Sequence, residues 1–275
     1  MKKRKGLKIF LLLVAVLAAL IYDSNTRIVV TEHTLSSPRL PEVFGGFTVV
    51  QLSDLHGAKF RDGNRELIRK TAAAEPDIIA ITGDLADERA DMAVIDSLMG
   101  ELTEIAPVYY VTGNHEWGAG RMAELEAVFS CHGVRYLSNE YELFSCGEES
   151  IVIAGVEDPN AYADMIKPDE LMENLRQREG EKFTLLLGHR NYWAEKYPEL
   201  EADVILCGHA HGGIVRLPFF GGVLGTGFEL FPENVDGATE SGRYTMIVSR
   251  GLGNSIPVPR FLNNPEILVL RLENL

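Results

Sequence analysis

Phe47-Thr48-Val49-Val50-Gln51-Leu52-Ser53-Asp54-Leu55-His56 carries the pattern on which the chain is built: a short β-rich apolar run that ends in a polar cluster. The pattern returns at residues 77–83, followed by Asp84, and at residues 107–113, followed by Asn114-His115-Glu116. It returns again at residues 183–188, followed by His189-Arg190, and at residues 203–208, followed by His209-Ala210-His211. Further runs lie at residues 150–155, 244–250 and 267–272, and residues 27–35 alternate weakly as a first strand. Between the early runs, residues 64–74, 87–105 and 119–132 have helical composition and apolar spacing. Strand alternating with helix predicts an α/β domain with buried, partly parallel sheets. There is no repeat of solenoid length and no low-complexity linker, so residues 47–275 read as one domain, preceded by a linker and first strand over residues 23–46.

The chain has 275 residues and a formal net charge of −14, but the charge is unevenly placed. Lys2, Lys3, Arg4, Lys5 and Lys8 form a basic tail over residues 1–8 with no carboxylate, which leaves 21 cations against 40 carboxylates, a net −19, on the remaining 267 residues. A body this acidic repels a nucleic-acid backbone, so DNA and RNA are excluded as general partners. Any phosphate chemistry needs a local source of positive charge, for which metal is the obvious supply.

Residues 9–22 follow the basic tail as a membrane anchor or signal segment, thirteen apolar residues closed by Tyr22 and then by Asp23-Ser24-Asn25-Thr26. A helix over 14 residues rises only ~21 Å against a hydrocarbon core of ~30 Å. Including Gly6 and Leu7, with Lys8 snorkelling, brings the span closer to workable. A small-x-small cleavage site is poorly formed, which favours an uncleaved single-pass anchor. Positive charge before the span and none just after it predicts the tail inside the cell membrane and the body outside the cytoplasm. Cys207 ends an apolar run and reads as a core thiol, whereas Cys131 and Cys146 are either free or paired.

Ligands of open α/β sheets collect at the carboxyl ends of the strands. Five of the seven histidines stand there, at positions 56, 115, 189, 209 and 211, together with Asp54, Asp84 and Asn114; only His33 and His132 fall elsewhere. A lone Asp after a strand is usually a cap or an Asx turn, and a lone His usually a satisfied hydrogen-bonding group. Such residues at the ends of five core strands do not coincide for structural reasons alone. Imidazole and carboxylate without thiolate select borderline ions such as Zn, Mn or Fe. Six or seven ligands exceed what one open ion takes but suit two divalent ions ~3.5–4 Å apart. With two aspartates such a pair retains a charge of about +2, enough to hold a phosphate ester, and a neutral Asn preserves that surplus.

Asp-x-His, Gly-Asp, Gly-Asn-His-Glu, Gly-His and Gly-His-x-His, in this order, resemble the calcineurin-like metallophosphoesterase superfamily. Phe44-Gly45-Gly46-Phe47, Ala154-Gly155-Val156-Glu157-Asp158-Pro159 and Ser249-Arg250-Gly251-Leu252-Gly253 are similar to its membrane-associated bacterial branch with an N-terminal anchor or export signal. The resemblance spans about residues 42–272. It implies a four-layer α-β-β-α sandwich of two mixed β-sheets flanked by helices. It also implies one metal on Asp54, His56, Asp84 and His211 and a second on Asp84, Asn114, His189 and His209, with Asp84 bridging. His115 matches the superfamily's non-ligand catalytic histidine, and Arg190 adds a cation for a substrate phosphate. The implied function is hydrolysis of phosphate esters, a phosphodiesterase or pyrophosphatase acting on a phospholipid or lipid-linked nucleotide. The alternatives are a phosphomonoesterase and a non-catalytic tethered scaffold.

Overall fold

A computed structural model describes residues 2–60, 63–161 and 165–275. In chain order its strands are β1 (Val29–Ser37), β2 (Thr48–Leu52), β3 (Ile78–Thr82), β4 (Val108–Val111), β5 (Arg135–Tyr136), β6 (Glu140–Cys146) and β7 (Glu149–Gly155). They continue as β8 (Thr184–Leu187), β9 (Val204–Cys207), β10 (Val215–Leu217), β11 (Gly221–Leu224), β12 (Gly237–Ser241), β13 (Tyr244–Val248) and β14 (Glu266–Asn274). The helices are α1 (Lys2–Thr26), α2 (Arg65–Ala73), α3 (Met92–Thr103), α4 (Asn114–Ala119), α5 (Met122–His132), α6 (Pro168–Glu179) and α7 (Trp193–Lys196).

Two six-stranded sheets dominate, ordered β1-β14-β2-β3-β4-β5 and β12-β13-β9-β8-β7-β6. Strands β2 to β5 run parallel in the first and β13, β9, β8 and β7 in the second, while β14 against β2, β12 against β13 and β6 against β7 are antiparallel. The first sheet is mixed because the chain returns to it at the end, where β14 inserts between β1 and β2, and the second because its edge strands β12 and β6 each pair antiparallel with their neighbour.

Alternation along each strand explains the layering, since successive side chains point to opposite faces. Val49, Ile78, Ala80, Tyr109 and Val111 meet Ile151, Ile153, Leu185, Leu187, Val204 and Leu206 between the sheets. Val50, Leu52, Ile79, Ile81, Val108 and Tyr110 face the other way, onto Leu67 of α2, Ile95 and Leu98 of α3 and Leu125 of α5. In the second sheet Val152, Leu186, Ile205 and Met246 turn outward onto Leu171, Met172 and Leu175 of α6 and Trp193 of α7. The result is the helix-sheet-sheet-helix sandwich expected of the sequence.

Element boundaries differ from expectation where a cap or a glycine intervenes. Helix α3 begins at Met92 rather than at residue 87, because the Asp91 side chain accepts the Ala93 N–H and caps it. The segment expected as one helix over residues 119–132 is preceded by the short α4 and begins only at Met122, since Gly120 takes a left-handed φ of 65° and ends α4. Strands β6 and β12 are polar edge strands, and α6 is a further helix that the apolar runs do not announce. Cys207 is buried, and Cys131 and Cys146 are exposed free thiols.

Helix α1 runs on through the polar residues that close the apolar stretch in sequence. Ser24 Oγ, Asn25 Nδ2 and Thr26 Oγ1 each donate to the carbonyl four residues back, and Asp23 pairs with Arg27 at 2.7 Å. From Arg4 to Thr26 it is 23 residues long and holds an 18-residue window of mean hydropathy 2.2, long and apolar enough to cross a membrane. Residues 4–20 are all exposed, whereas Ser24 is buried.

Candidate metal centre

The carboxyl ends of β2, β3 and β4 in one sheet and of β8 and β9 in the other open onto the same edge of the sandwich. The turns after these strands are bonded to one another. Asp54 N–H donates to the Gly83 carbonyl at 3.0 Å and His56 N–H to the Asp84 carbonyl at 2.8 Å, so the β2 and β3 loops continue side by side. His209 N–H donates to the Asp54 carboxylate at 3.0 Å and His115 N–H to Asp84 Oδ1 at 2.9 Å. Each loop therefore orients a side chain from another.

This convergence requires tight backbone. Asp54, His56, Asp84, His209 and His211 all hold left-handed φ values between 49° and 70°, a region that non-glycine residues seldom occupy and that clusters at functional sites. Glycines permit the approach. A Cβ on Gly113 would lie 2.2 Å from Asp84 Oδ1, and one on Gly208 would lie 2.0 Å from Ser53 Oγ and 2.2 Å from Asp54 Oδ2.

The structure brings together Asp54, His56, Asp84 and His211, with one potential ligand atom from each lying within 4.8 Å of the others. Asp84, His189 and His209 form a second such group, so Asp84 belongs to both. His56 Nε2 and His211 Nε2 are 3.1 Å apart, as are His189 Nε2 and His209 Nδ1. Asp84 Oδ2 lies 3.2 Å from His189 Nε2 and 3.6 Å from His56 Nε2. His189 Nδ1 faces the Thr82 carbonyl at 2.9 Å, which turns Nε2 toward Asp84; burial works against charge on this imidazole, but Asp84 overcomes it and raises His189 to about 10. Asn114 stands at the start of α4, and its Oδ1 is buried without a hydrogen-bond partner. His115 belongs to neither group, and its ring stands edge-on to His56 with centroids 4.7 Å apart.

Burial sets the charge states. It pushes His56 and His209 down to about 3 and His211 well below its ordinary value, so these imidazoles are neutral, the form that binds metal. Burial opposes charge on Asp84 too, but the imidazolium of His189 overcomes it and holds the carboxyl far below the carboxylate range. Asp54 is raised, chiefly by burial. Paired imidazole nitrogens at 3.1 Å, an orphaned amide oxygen and two carboxylates without sulfur form a donor set that fits divalent borderline ions.

Arg190 stands differently from expectation. Its guanidinium forms a two-pronged pair with Asp158, at 2.6 and 3.1 Å, and its remaining nitrogen lies 3.1 Å from His209 Nε2. It thus braces His209 beside the centre. Three further residues have roles that the sequence does not declare. Asp158 fixes Arg190. Glu116, wholly buried, accepts the backbone N–H groups of Asp84, Ala86 and Gly113 at 3.2, 3.2 and 2.8 Å, together with that of Leu85. Arg260, also buried, donates to the Gly253 and Arg250 carbonyls and reaches His211 Nδ1 at 3.3 Å. Glu116 and Asp158 stand in sequence motifs, Gly-Asn-His-Glu and the stretch over residues 154–159, whereas Arg260 stands in none.

The family model for calcineurin-like phosphoesterases matches residues 47–213, which hold every residue of both groups. The chain is 30% identical over 252 residues to the metallophosphoesterase YkuE of Bacillus subtilis (strain 168), covering 89% of this chain and 85% of that one. It is 31% identical over 256 residues to a metallophosphoesterase of Aquifex aeolicus (strain VF5), covering 89% and 91%. It is 25% identical over 234 residues to the phosphodiesterase YaeI of Escherichia coli (strain K12), covering 82% of each. Family and ligand cluster together indicate a divalent, dinuclear metal site, and the chain belongs to the calcineurin-like phosphoesterase family as a metal-dependent phosphoesterase.

Proposed function

We propose that this protein is a membrane-anchored phosphodiesterase or pyrophosphatase acting on a membrane-associated substrate, a phospholipid or a lipid-linked nucleotide. Asp54, His56, Asp84 and His211 would hold one divalent ion, and Asp84, Asn114, His189 and His209 the other. Bound there, the pair supplies positive charge for the phosphoryl oxygens and activates water near neutral pH. The observation that carries this reading is the sharing of Asp84 by both ligand groups, with His115 beside them and outside both.

The chain's own residues do the rest. Asp84 aligns the two groups, and its orientation is set by the His115 N–H. Asn114 contributes an oxygen without adding negative charge that would repel the ester. His115, free of ligand duty and half-buried, is placed to balance charge on the phosphoryl oxygens or to give a proton to the leaving oxygen. Diester cleavage is also supported by the similarity to a phosphodiesterase.

A cavity of about 300 Å³ supports the membrane-associated substrate. Asn25 and Thr26 of α1 form part of its wall, and His56, Lys59 and Arg260 another. The end of the putting-down point of the anchor and a ligand of the centre therefore share one space. The basic tail ahead of the span supports a catalytic body on the extracytoplasmic side.

The test is the full chain in detergent, stripped of metal and resupplied with Mn²⁺ or Zn²⁺, on an aryl phosphodiester beside the matching monoester. We expect metal-dependent diester cleavage, abolished with metal binding in Asp84→Asn. His115→Ala should lose about 10²–10⁴-fold in rate while keeping its metal. Preference for the monoester would overturn the diesterase reading, and two bound metals without turnover on either ester would favour a scaffold.

A further inference from the structure

Between His211 and β12 the chain makes an excursion whose large apolar side chains face outward. Leu217, Phe220, Phe228, Leu230 and Phe231 are 42–70% exposed, and Phe219 is exposed completely. Scattered apolar residues are ordinary on a surface, but six within fifteen residues mark an interaction site. The excursion is built rather than loose: β10 pairs with β11, Leu224 bridges Leu230, and Phe231 N–H donates to the Val223 carbonyl at 3.0 Å. Phe219, Phe228 and Phe231 have φ values of 70°, 64° and 54°, where glycine or asparagine would sit with less strain. Bulky rings held in that conformation point to a use for the rings themselves.

The position of the excursion selects its partner. Val215 at the start of β10 bridges Phe261, and the adjacent Arg260 exchanges two hydrogen bonds with Asn25 in the last turn of α1. The aromatic segment thus leaves the body from the corner where α1 joins it, and the four steps of chain from Val215 to Phe219 span at most ~14 Å. Residues 214–236 contain no lysine, and their single arginine, Arg216, is paired with Asp236 at 2.8 Å. Glu229 and Glu233 are exposed in the same stretch, so seating draws nothing from anionic lipid and rests on the aromatic and leucine side chains, with these carboxylates kept at the headgroup level.

We infer that the excursion over residues 217–231 is a second membrane contact, seated in the interface of the bilayer that α1 crosses. It follows His209 and His211 directly, so its seating turns this side of the metal centre toward lipid. The inference rests on the reading of α1 as an anchor.

The test uses the full chain in phosphatidylcholine vesicles, with Phe219→Trp and Phe231→Trp as reporters and brominated lipid as the quencher. Leu143→Trp is the control, on β6 at the far edge of the second sheet from β12 and exposed in the parent chain. Trp117 and Trp193 contribute the same background to every variant. We expect emission of both reporters to shift to the blue and be quenched beyond that background, with no added quenching at position 143. Vesicle flotation without reporter quenching overturns the inference and leaves the anchor standing, as a docked protein partner would require. Equal quenching at all three positions overturns it as well. Failure of the full chain to float removes the anchor reading and the inference with it.

Discussion

Asn25 and Arg260 hold one another across 235 positions of sequence. The Asn25 Nδ2 group donates to the Arg260 carbonyl at 2.9 Å, and the Arg260 N–H donates to Asn25 Oδ1 at 3.1 Å. Asn264 adds a bond to the Asp23 carbonyl at 2.8 Å, so the end of α1 is fastened to the segment that carries the buried Arg260. Asn25→Ala removes both arms and strands the Arg260 N–H, at a cost of about 1–3 kcal/mol. The expected result is a melting temperature lower by a few degrees for the solubilised full chain, with faster amide exchange around residues 258–264. Unchanged exchange there would show that α1 is not clamped to the body.

Glu116 is the hub of the β3 and β4 loops. Four backbone N–H groups converge on its carboxylate, and Gln would turn an amide donor toward some of them. Glu116→Gln should cost about 2–3 kcal/mol and lower metal content, because Asp84 is among the residues it positions. Thermal melts and metal analysis on one sample check both; full metal content at wild-type stability would make Glu116 dispensable.

Gly208→Ala tests whether the glycine before a ligand histidine is there for space. Its methyl would collide with Ser53 and Asp54, and overpacking of this kind costs about 1–3 kcal/mol. We expect Asp54 to be displaced and metal affinity to fall at least about tenfold, measured by titration of the stripped protein. Wild-type affinity would mean that the Asp54 loop yields freely.

Glu266 sets a pH dependence away from the centre. Burial works against its charge, but Arg250, 2.7 Å away, overcomes this and lowers the carboxyl below its ordinary 4.5. A depressed carboxyl contributes stability above its unfolded value that is lost as pH falls through the folded one. Glu266→Gln should therefore melt below wild type at pH 7, and the difference should shrink as pH drops below about 4.5. A constant difference across that range would contradict the ion pair.

The ligand residues were legible because each ends an apolar run, and a buried strand fixes where its last polar residue emerges. Asp54, Asp84, His189, His209 and His211 needed no contact map to be grouped. Their supports did need one. Asp158 meets Arg190 32 positions later, where the loops after the neighbouring strands β7 and β8 come together, and His211 meets Arg260 49 positions later, in the segment that returns the chain to the first sheet. Arg190 read as a free cation because its partner lies on a different loop. Strands β6 and β12 escaped notice because an edge strand alternates weakly and carries polar residues on its open side. Helix α6 was readable, with Pro168 in its first turn, Asp169 and Glu170 beside it, and Arg176 and Arg178 in its last turn.

The insertion of β14 between β1 and β2 has a consequence for the order in which a ribosome makes this chain. Residue 26 leaves the tunnel early, yet the sheet bearing Asp54 and Asp84 stays split until residues 266–274 have been synthesised. Arg260, which braces His211, arrives equally late. A nascent chain thus carries these aspartates long before it can set them in place, and hydrolysis awaits the insertion of β14.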